Sequence, residues 1–406
     1  MLESIIIVVV VVVLGCVLCR WFRRGQPRRS TFWRFQPVSM DAQEGGEEGE
    51  EVWGVMDADP ARPSHHVHVD AAIVLRTMKV ADAEPRMEEM SDFLCAHYLN
   101  RPPNVYAPTP RTVRGVFVHP RWGGGFVTLA SRQGSVDHLL QSDLVGMITS
   151  RPLTLYVKGM RHMVYYVDMM CVHSDERNGC LARALITTHE KNQRKADPGN
   201  LVSVFRREDT LLRGVRPVVS FRCMAMACAA LYAQEAGGRK MQRQRRDDRM
   251  LEVTAERDLR EIFATIQTRK AEFSLLPSTA NEFARLMATD HRVWTNRARD
   301  VVFIFRDARL TLYKPTDRVA TLVYAAWEEE EEGGGHRVSR GVAEAWDLMR
   351  QCEMDFTHLM VDLVGQAAAF EPSCAAIATL TSPVQYYMYN YHVPRTLDAR
   401  LCNIIH

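Results

Sequence analysis

Two stretches of this chain concentrate residues able to do chemistry. The first runs from His162 to Gln193. Its apolar opening, HMVYYVDMMCV (162–172), carries the strongest β pattern of the first half. It breaks at His173–Arg177 and resumes with helical period, Leu181, Leu185 and Ile186 forming the buried stripe. A strand, a turn and a helix whose first amides are free cradle an anionic group. Arg177, Asn178, Gly179, Cys180, Leu181, Ala182 and Arg183 occupy that cradle. The same residues read equally as a charged turn with no ligand. The second stretch is VQYYMYNYHVP (384–394) with His406 beyond it, an imidazole that can exchange a proton near neutral pH.

The other reactive residues carry less. His65, His66 and His68 cluster with only Asp70 nearby, in a segment that reads as linker, so no metal site is expected. Cys171 reads as core and not as a nucleophile, because nothing places a base beside it, and Met169-Met170 fills core volume. Zinc, kinase and Walker patterns are absent. Ten cysteines without regular spacing do not form a disulfide scaffold.

The elements that position these residues follow from periodicity. A helix is predicted over Met87–Tyr98, then strands over Val113–Val118, Gly125–Ala130, Leu144–Ser150, Leu153–Val157 and Met163–Val172. A helix over Leu181–Gln193 and a strand over Val202–Phe205 close a first half. The basic stretch Gly237–Arg249 reads as an exposed connector. The pattern then restarts, with a helix from Thr254 to Arg269 and a second opened by the capping box Thr279/Glu282. Strands follow at Val301–Phe305, Leu310–Tyr313 and Thr321–Trp327. Glu328–Gly335 reads as a solvated acidic loop, Val338–Cys352 as a helix, and Phe356–Leu363 and Val384–Tyr391 as the last strands. Two successive α+β halves of similar order suggest an internal duplication.

Composition sets the outer limits. With 406 residues, 47% hydrophobic and 25% charged, there is ample core for two to three domains. A net charge of +2 gives no electrostatic case for a nucleic-acid partner. A mean hydropathy of −0.20 excludes a multi-span transporter. One run departs from the rest: Ile5–Cys19, IIIVVVVVVLGCVLC, extended by Trp21 and Phe22. Fifteen residues reach about 22 Å as a helix, short of a bilayer core of roughly 30 Å, but Arg20, Arg23 and Arg24 can snorkel to the far interface. Arg20, Arg23, Arg24, Arg28 and Arg29 all follow the run, which keeps the large body cytosolic. Glu3 precedes it and no small-x-small cleavage site follows, so a transmembrane anchor is expected and not a signal peptide. Cys16 and Cys19 are candidates for palmitoylation at the membrane edge, or bystanders. The expected organisation is an anchor with basic flank (1–24), a disordered linker (25–85), a first half (86–235) and a second half (236–406).

Residues 167–186, VDMMCVHSDERNGCLARALI, resemble the N-myristoyltransferase family's strand, Cys-Val-His and CoA-pyrophosphate loop. Residues 384–394 resemble its Gln-Tyr-Tyr-Leu-Tyr-Asn-Trp segment and following proline. Weaker likenesses lie at Val116–Trp122, Leu144–Ile148 and Val361–Leu363, in the family's order, so the resemblance spans roughly residues 90–406. It implies an α+β fold of tandem GNAT-like (acyl-CoA N-acyltransferase) halves, here preceded by one transmembrane helix. It also implies transfer of myristate, or another fatty acyl group, from acyl-CoA to the N-terminal glycine of a target protein. No permanently bound cofactor is implied, and acyl-CoA is a cosubstrate. The partners expected are glycine-initiated proteins and the membrane, for a monomer. By resemblance the α-carboxylate of the last residue, His406, is the base, with its imidazole a second candidate. The backbone N–H groups of Met169 and Met170 are the oxyanion donors, and Arg177–Arg183 hold the CoA phosphates.

The departures matter. Asn178, Gly179 and Cys180 stand where the family has Ser-Lys-Arg, and Arg183 where it has proline. Phe205-Arg206-Arg207-Glu208 replaces Tyr-Thr-Ala-Gly near the attacking amine, so Arg206 and Arg207 either contact phosphate or occlude the glycine channel. Tyr106-Ala107-Pro108 loses the carboxylate of the family's Phe-Asp-Tyr, and its Tyr-Trp-His-Arg motif has no match near Val218–Phe221. Three readings stay open: a membrane-tethered N-acyltransferase, a catalytically inactive relative with a structural or interaction role, and a GNAT enzyme with another donor or acceptor.

Overall fold

A computed structural model describes residues 31–41, 52–61, 67–99, 104–117, 124–133, 144–208, 211–233, 249–269, 271–297, 299, 301–327, 345–350, 352 and 355–406. The expected anchor (1–24), the cysteines Cys16 and Cys19, His65 and His66, most of the basic connector and the acidic loop lie outside the described residues. No helix among the described residues is long and apolar enough to cross a membrane.

The chain enters with a one-turn 3-10 helix, Thr31–Phe35, and then β1 (Gly54–Val55). The first half follows as β2 (Ile73–Lys79), α1 (Met87–His97), β3 (Val105–Tyr106), α2 (Pro110–Gly115), β4 (Phe126–Arg132), β5 (Leu144–Val157), β6 (Met160–Val172), α3 (Leu181–Ala196) and β7 (Ser203–Glu208). β8 (Val219–Ala227) and α4 (Cys228–Ala233) lead out of it. The second half is β9 (Leu251–Val253), α5 (Glu256–Thr268), β10 (Phe273–Leu276), α6 (Ala280–Met287), β11 (His291–Thr295), β12 (Val302–Asp307), β13 (Leu310–Thr311), β14 (Val319–Ala326), β15 (His358–Asp362), α7 (Glu371–Ala375), β16 (Leu380–Tyr389), β17 (Tyr391–His392) and β18 (Cys402–Ile404).

One large sheet runs through both halves, and its order carries the duplication. Antiparallel β4-β5-β6 meets β7 in parallel, and antiparallel β11-β12-β14 meets β15 in parallel. Between them lie β16 and β8, paired with each other, in the order β7-β16-β8-β15. The two are exchanged: β8 belongs to the first half in sequence but completes the second, and β16 does the converse. Each half therefore lacks a strand without the other.

Local chemistry explains most elements. α1 buries Met87, Met90, Phe93 and Leu94 on one face and carries Glu88 and Glu89 in its first turn. α3 packs on β4 and β5 because Gly146 is bare: a Cβ there would meet Leu185 Cδ1 at 2.9 Å. The expected strands Leu144–Ser150 and Leu153–Val157 are one strand, β5. The expected strand over Val113–Val118 is corrected to helix α2, with Pro110 in its first turn and Thr109 and Thr112 exchanging capping hydrogen bonds. Cap chemistry there overrides the β-branched residues.

The interval expected as a disordered linker, 25–85, is corrected where it is described. β2 pairs with β4 along its whole length. Val38 bridges Tyr389 and Met40 bridges Val215, while β1 pairs with β17. The basic stretch before it and the Gly/Glu-rich stretch after it hid this strap, whose own Phe32, Trp33, Phe35, Val38 and Met40 are apolar. Ser39 Oγ accepts from Val393 N at 2.6 Å, and Asn390, in the left-handed region at φ +59°, binds Asp57 through both N–H and C=O.

Candidate active site

The site begins where β6 and β7 part. They pair only from Tyr165/Ser203 to Val167/Phe205. On its other edge β6 carries a bulge, Asp168 standing opposite Thr149 and Cys171 opposite Met147, with Met169 and Met170 together facing Ile148. Met169 takes φ +51° and is buried, while Met170 is 41% exposed. A bulge removes residues from the ladder and turns their backbone groups toward whatever lies alongside. The structure thus gives the Met169-Met170 pair an irregular backbone. It also occupies one of the two expected donors: Met169 N donates to its neighbour Asp168 Oδ1 at 2.8 Å.

His406 reaches this place from the far end of the chain. β18 pairs in parallel with β10, and Ile405 N donates to Leu275 O at 2.9 Å, which draws the last residue inward. Its imidazole is 4% exposed, with the ring centre 4.4 Å from that of Tyr166 on β6. Nε2 lies 2.8 Å from the Tyr386 hydroxyl on β16, and Nδ1 is buried without a partner. Burial first, then the positive field of Arg306, Arg151 and Arg206, holds its pKa well below the usual histidine value. The ring is therefore neutral, as a proton acceptor must be.

A set of charged and phenolic groups surrounds it. Arg151 on β5 is 7% exposed, stands 5.3 Å over the Tyr166 ring and donates to Val116 O at 3.0 Å. Arg206 on β7 forms a two-point pair with Asp362 on β15, at 2.8 and 3.2 Å, and reaches Glu208 at 2.9 Å. Burial opposes its charge, but Asp362 and Glu208 outweigh it and Arg206 stays firmly protonated. It also hydrogen-bonds Tyr386. Arg206 is thus fixed across the junction of the halves. The hydroxyls of Tyr98, Tyr106, Tyr166 and Tyr386 are held protonated chiefly by burial.

Arg151, Asp362 and the tyrosine pair Tyr166/Tyr386 are functional candidates that sequence reasoning did not single out. A charge inside an apolar strand run was the available signal for Arg151 and Asp362. Their convergence needs the non-local order of β5, β6, β7, β16, β8 and β15, which no local pattern encodes.

The anion cradle forms as predicted in backbone and differs in side chains. A 3-10 turn, Ser174–Glu176, leads to Asn178 at φ +66°, and α3 starts at Leu181 with no side-chain cap. Its first amides, from Leu181 through Arg183, have no partner within the helix. Cys180 and Arg183 are exposed beside them. Arg177, however, donates to Val172 O at 3.3 Å and to His97 O, where it closes the carboxyl end of α1. A cavity of about 500 Å³ opens on that side, lined by Glu88, Glu89, Asp92, Phe93, His97 and His173. Its carboxylates have the wrong sign for phosphate, so the α3 amides and Arg183 carry the anion-binding character of the loop. Cys171 is core: burial pushes its thiol up to about 12, far from a nucleophile.

No protein-family model matches this sequence, and no curated protein is significantly similar to it. Solved structures do match. The chain is similar to Saccharomyces cerevisiae N-myristoyltransferase with bound myristoyl-CoA, at 15% identity and a TM-score of 0.66, covering 92% of this chain and 94% of that one. Against the same yeast enzyme with bound myristoyl-CoA and inhibitors the identity is 15% and the TM-score 0.68, with 94% of each chain covered. The α+β, N-myristoyltransferase-like fold is thereby supported over nearly the whole chain, while the transmembrane helix expected before it lies outside the described residues.

Proposed function

We propose that this chain is an N-acyltransferase that moves a fatty acyl group, myristoyl in the first instance, from acyl-CoA to the N-terminal glycine of a protein. The observation that carries the reading is the convergence of His406 and Tyr386 on Tyr166 of β6, the strand whose bulge carries Met169 and Met170. In the proposed reaction the amine attacks the thioester carbonyl, an N–C bond forms and the C–S bond breaks. The amine's proton passes to His406, through its α-carboxylate or the unpartnered Nδ1, and leaves with the thiol. Met170 N–H faces the developing oxyanion, since Met169 N–H is held by Asp168. The α3 amides with Arg183 take the CoA phosphates. The Ile5–Cys19 run and its arginine flank support a cytosolic body tethered to a membrane, with targets met there.

A second reading, a catalytically inactive relative serving as a membrane-bound interaction protein, is favoured by three observations. Asp168 caps Met169, Arg177 is spent on carbonyls, and the Arg206–Asp362 pair fills the place the family gives to small residues. Turnover of a glycine-initiated peptide by the detergent-solubilised full chain, read by mass as a 210 Da gain per myristoyl group (roughly the mass of the acyl unit by the amide bond it forms), separates the two. Thioester cleavage without peptide acylation would instead favour another acceptor.

A further inference from the structure

The strap that docks residues 31–41 onto the body also builds a surface. Alternation along β16 sets its position. Tyr386 and Met388 point to one face, where Tyr386 meets His406, and Tyr387 and Tyr389 point to the other. The strap covers that second face: Val38 packs with Leu212, Tyr387 and Tyr389, Tyr389 donates to Gln36 Oε1 at 2.8 Å, and Tyr387 Oη accepts from Leu212 N at 3.0 Å. Above this base the strap and its neighbour turn large apolar groups outward. Phe35 is 58% exposed, Met40 41% and Leu211 54%. Met40 bridges Val215, and its Cε approaches to 3.6 Å of where a Cβ on Gly214 would stand, which brings it beside the Leu211–Arg213 segment. Arg34 and Arg213 are exposed in the same two segments.

Exposed apolar groups interleaved with cations are the composition that seats a protein on an anionic lipid surface. Chain length restricts the occupant further. The apolar run ends at Phe22 and the strap begins at Thr31, so the eight residues between them, fully extended, span at most about 30 Å. Five arginines lie in or next to that connection, at 20, 23, 24, 28 and 29.

We infer that Phe35, Met40 and Leu211, with Arg34 and Arg213, form a face that lies on an anionic bilayer surface. That contact fixes the body with the strap side of β16 toward lipid and the Tyr386–His406 side away from it. The inference rests on the proposed membrane tether for its geometry, and the test separates the two. The full chain is reconstituted into phosphatidylcholine/phosphatidylserine vesicles, in a background with Cys16, Cys19, Cys95 and Cys180 each replaced by Ser. An environment-sensitive fluorophore is placed in turn at Phe35→Cys, Met40→Cys, Leu211→Cys and, as a control on exposed α5, Arg257→Cys. The expected result is a blue shift and quenching by brominated lipid at 35, 40 and 211 but not at 257, weakened in vesicles without phosphatidylserine. Labels at 35, 40 and 211 that behave like the label at 257 overturn the inference. Carbonate extraction reports the tether separately: a chain retained in the pellet with unshifted labels keeps the anchor and refutes the face, while a stripped chain whose labels shift on fresh vesicles does the reverse. Because Arg34 and Arg213 are exposed, the Arg34→Glu/Arg213→Glu variant keeps the fold and is expected to lose the phosphatidylserine dependence. Unchanged dependence there also counts against the inference.

Discussion

Removing Asp362 isolates the Arg206 guanidinium at the junction of the two halves. Both side chains are nearly buried, 10% and 5% exposed, and two hydrogen bonds of 2.8 and 3.2 Å join them. Deleting one partner of such a pair costs about 3–5 kcal/mol, because the remaining charge stays desolvated. Glu208 remains at 2.9 Å, but it is 46% exposed and returns only about 1 kcal/mol. Asp362→Ala is therefore expected to destabilise the chain by about 3 kcal/mol. With a urea m-value of about 3 kcal/mol/M for a chain of this size, the midpoint falls by about 1 M. The double variant Arg206→Met/Asp362→Leu removes both charges and is expected to lie within about 1 kcal/mol of the parent. Equilibrium urea unfolding followed by fluorescence measures both. A single variant costing less than about 1 kcal/mol, or a double variant as damaged as the single, refutes the reasoning that this pair is a desolvated tie between the halves.

Further outcomes follow from the same geometry. Burial depresses His189 and His291 to about 3 and holds His406 well below its usual value, so these rings stay neutral when folded and protonate on unfolding. Their contribution is intact above about pH 6.5 and is lost as the pH falls below it. Glu190, pushed up to about 7 by burial, opposes this, its contribution being intact at low pH and lost as the pH rises through 7. The net of about two protons predicts a fall of about 2.5 kcal/mol per pH unit below pH 6, measurable by urea unfolding at several pH values. Cys180, exposed at the start of α3, is expected to react readily with a maleimide and to be protected by myristoyl-CoA; equal labelling with and without the ligand argues against phosphate at that loop. Gly125→Ala would set a Cβ against the backbone oxygen of Ser150 on β5, well inside van der Waals contact, and is expected to cost about 1–3 kcal/mol in thermal or urea unfolding. Extending the chain beyond His406 is expected to abolish acyl transfer while leaving the secondary structure by circular dichroism largely intact.

Long periodic segments were legible in advance. The strand–turn–helix of β6 and α3, the α5 stripe Leu259/Ile262/Phe263/Ile266 and the Thr279 cap all emerge as read, because each is decided by neighbours in sequence. Helix α2 was missed since three β-branched valines, at 113, 116 and 118, weighed more in the pattern than the Thr109–Thr112 cap that decides the segment. The strap was missed because its short apolar run lies between a basic stretch and a Gly/Glu-rich one, and its partners Tyr387, Tyr389 and Val393 are remote in sequence. The site divides in the same way. Backbone features of the cradle and the bulge lie in one continuous motif. Arg151, Asp362 and Tyr386 come together only through the exchange of β8 and β16, a long-range event. Arg177 donates to Val172 O and to His97 O at the end of α1, contacts that no local pattern encodes.

The central claim, an acyl-CoA site at the parting of β6 and β7, is tested most directly by calorimetric titration of the detergent-solubilised full chain with myristoyl-CoA, with acetyl-CoA in parallel. The expected result is saturable binding of myristoyl-CoA in the micromolar range or tighter, much weaker binding of acetyl-CoA, and release of CoA when a glycine-initiated peptide is added. No heat of binding for either ester, from a chain that unfolds cooperatively, would contradict it.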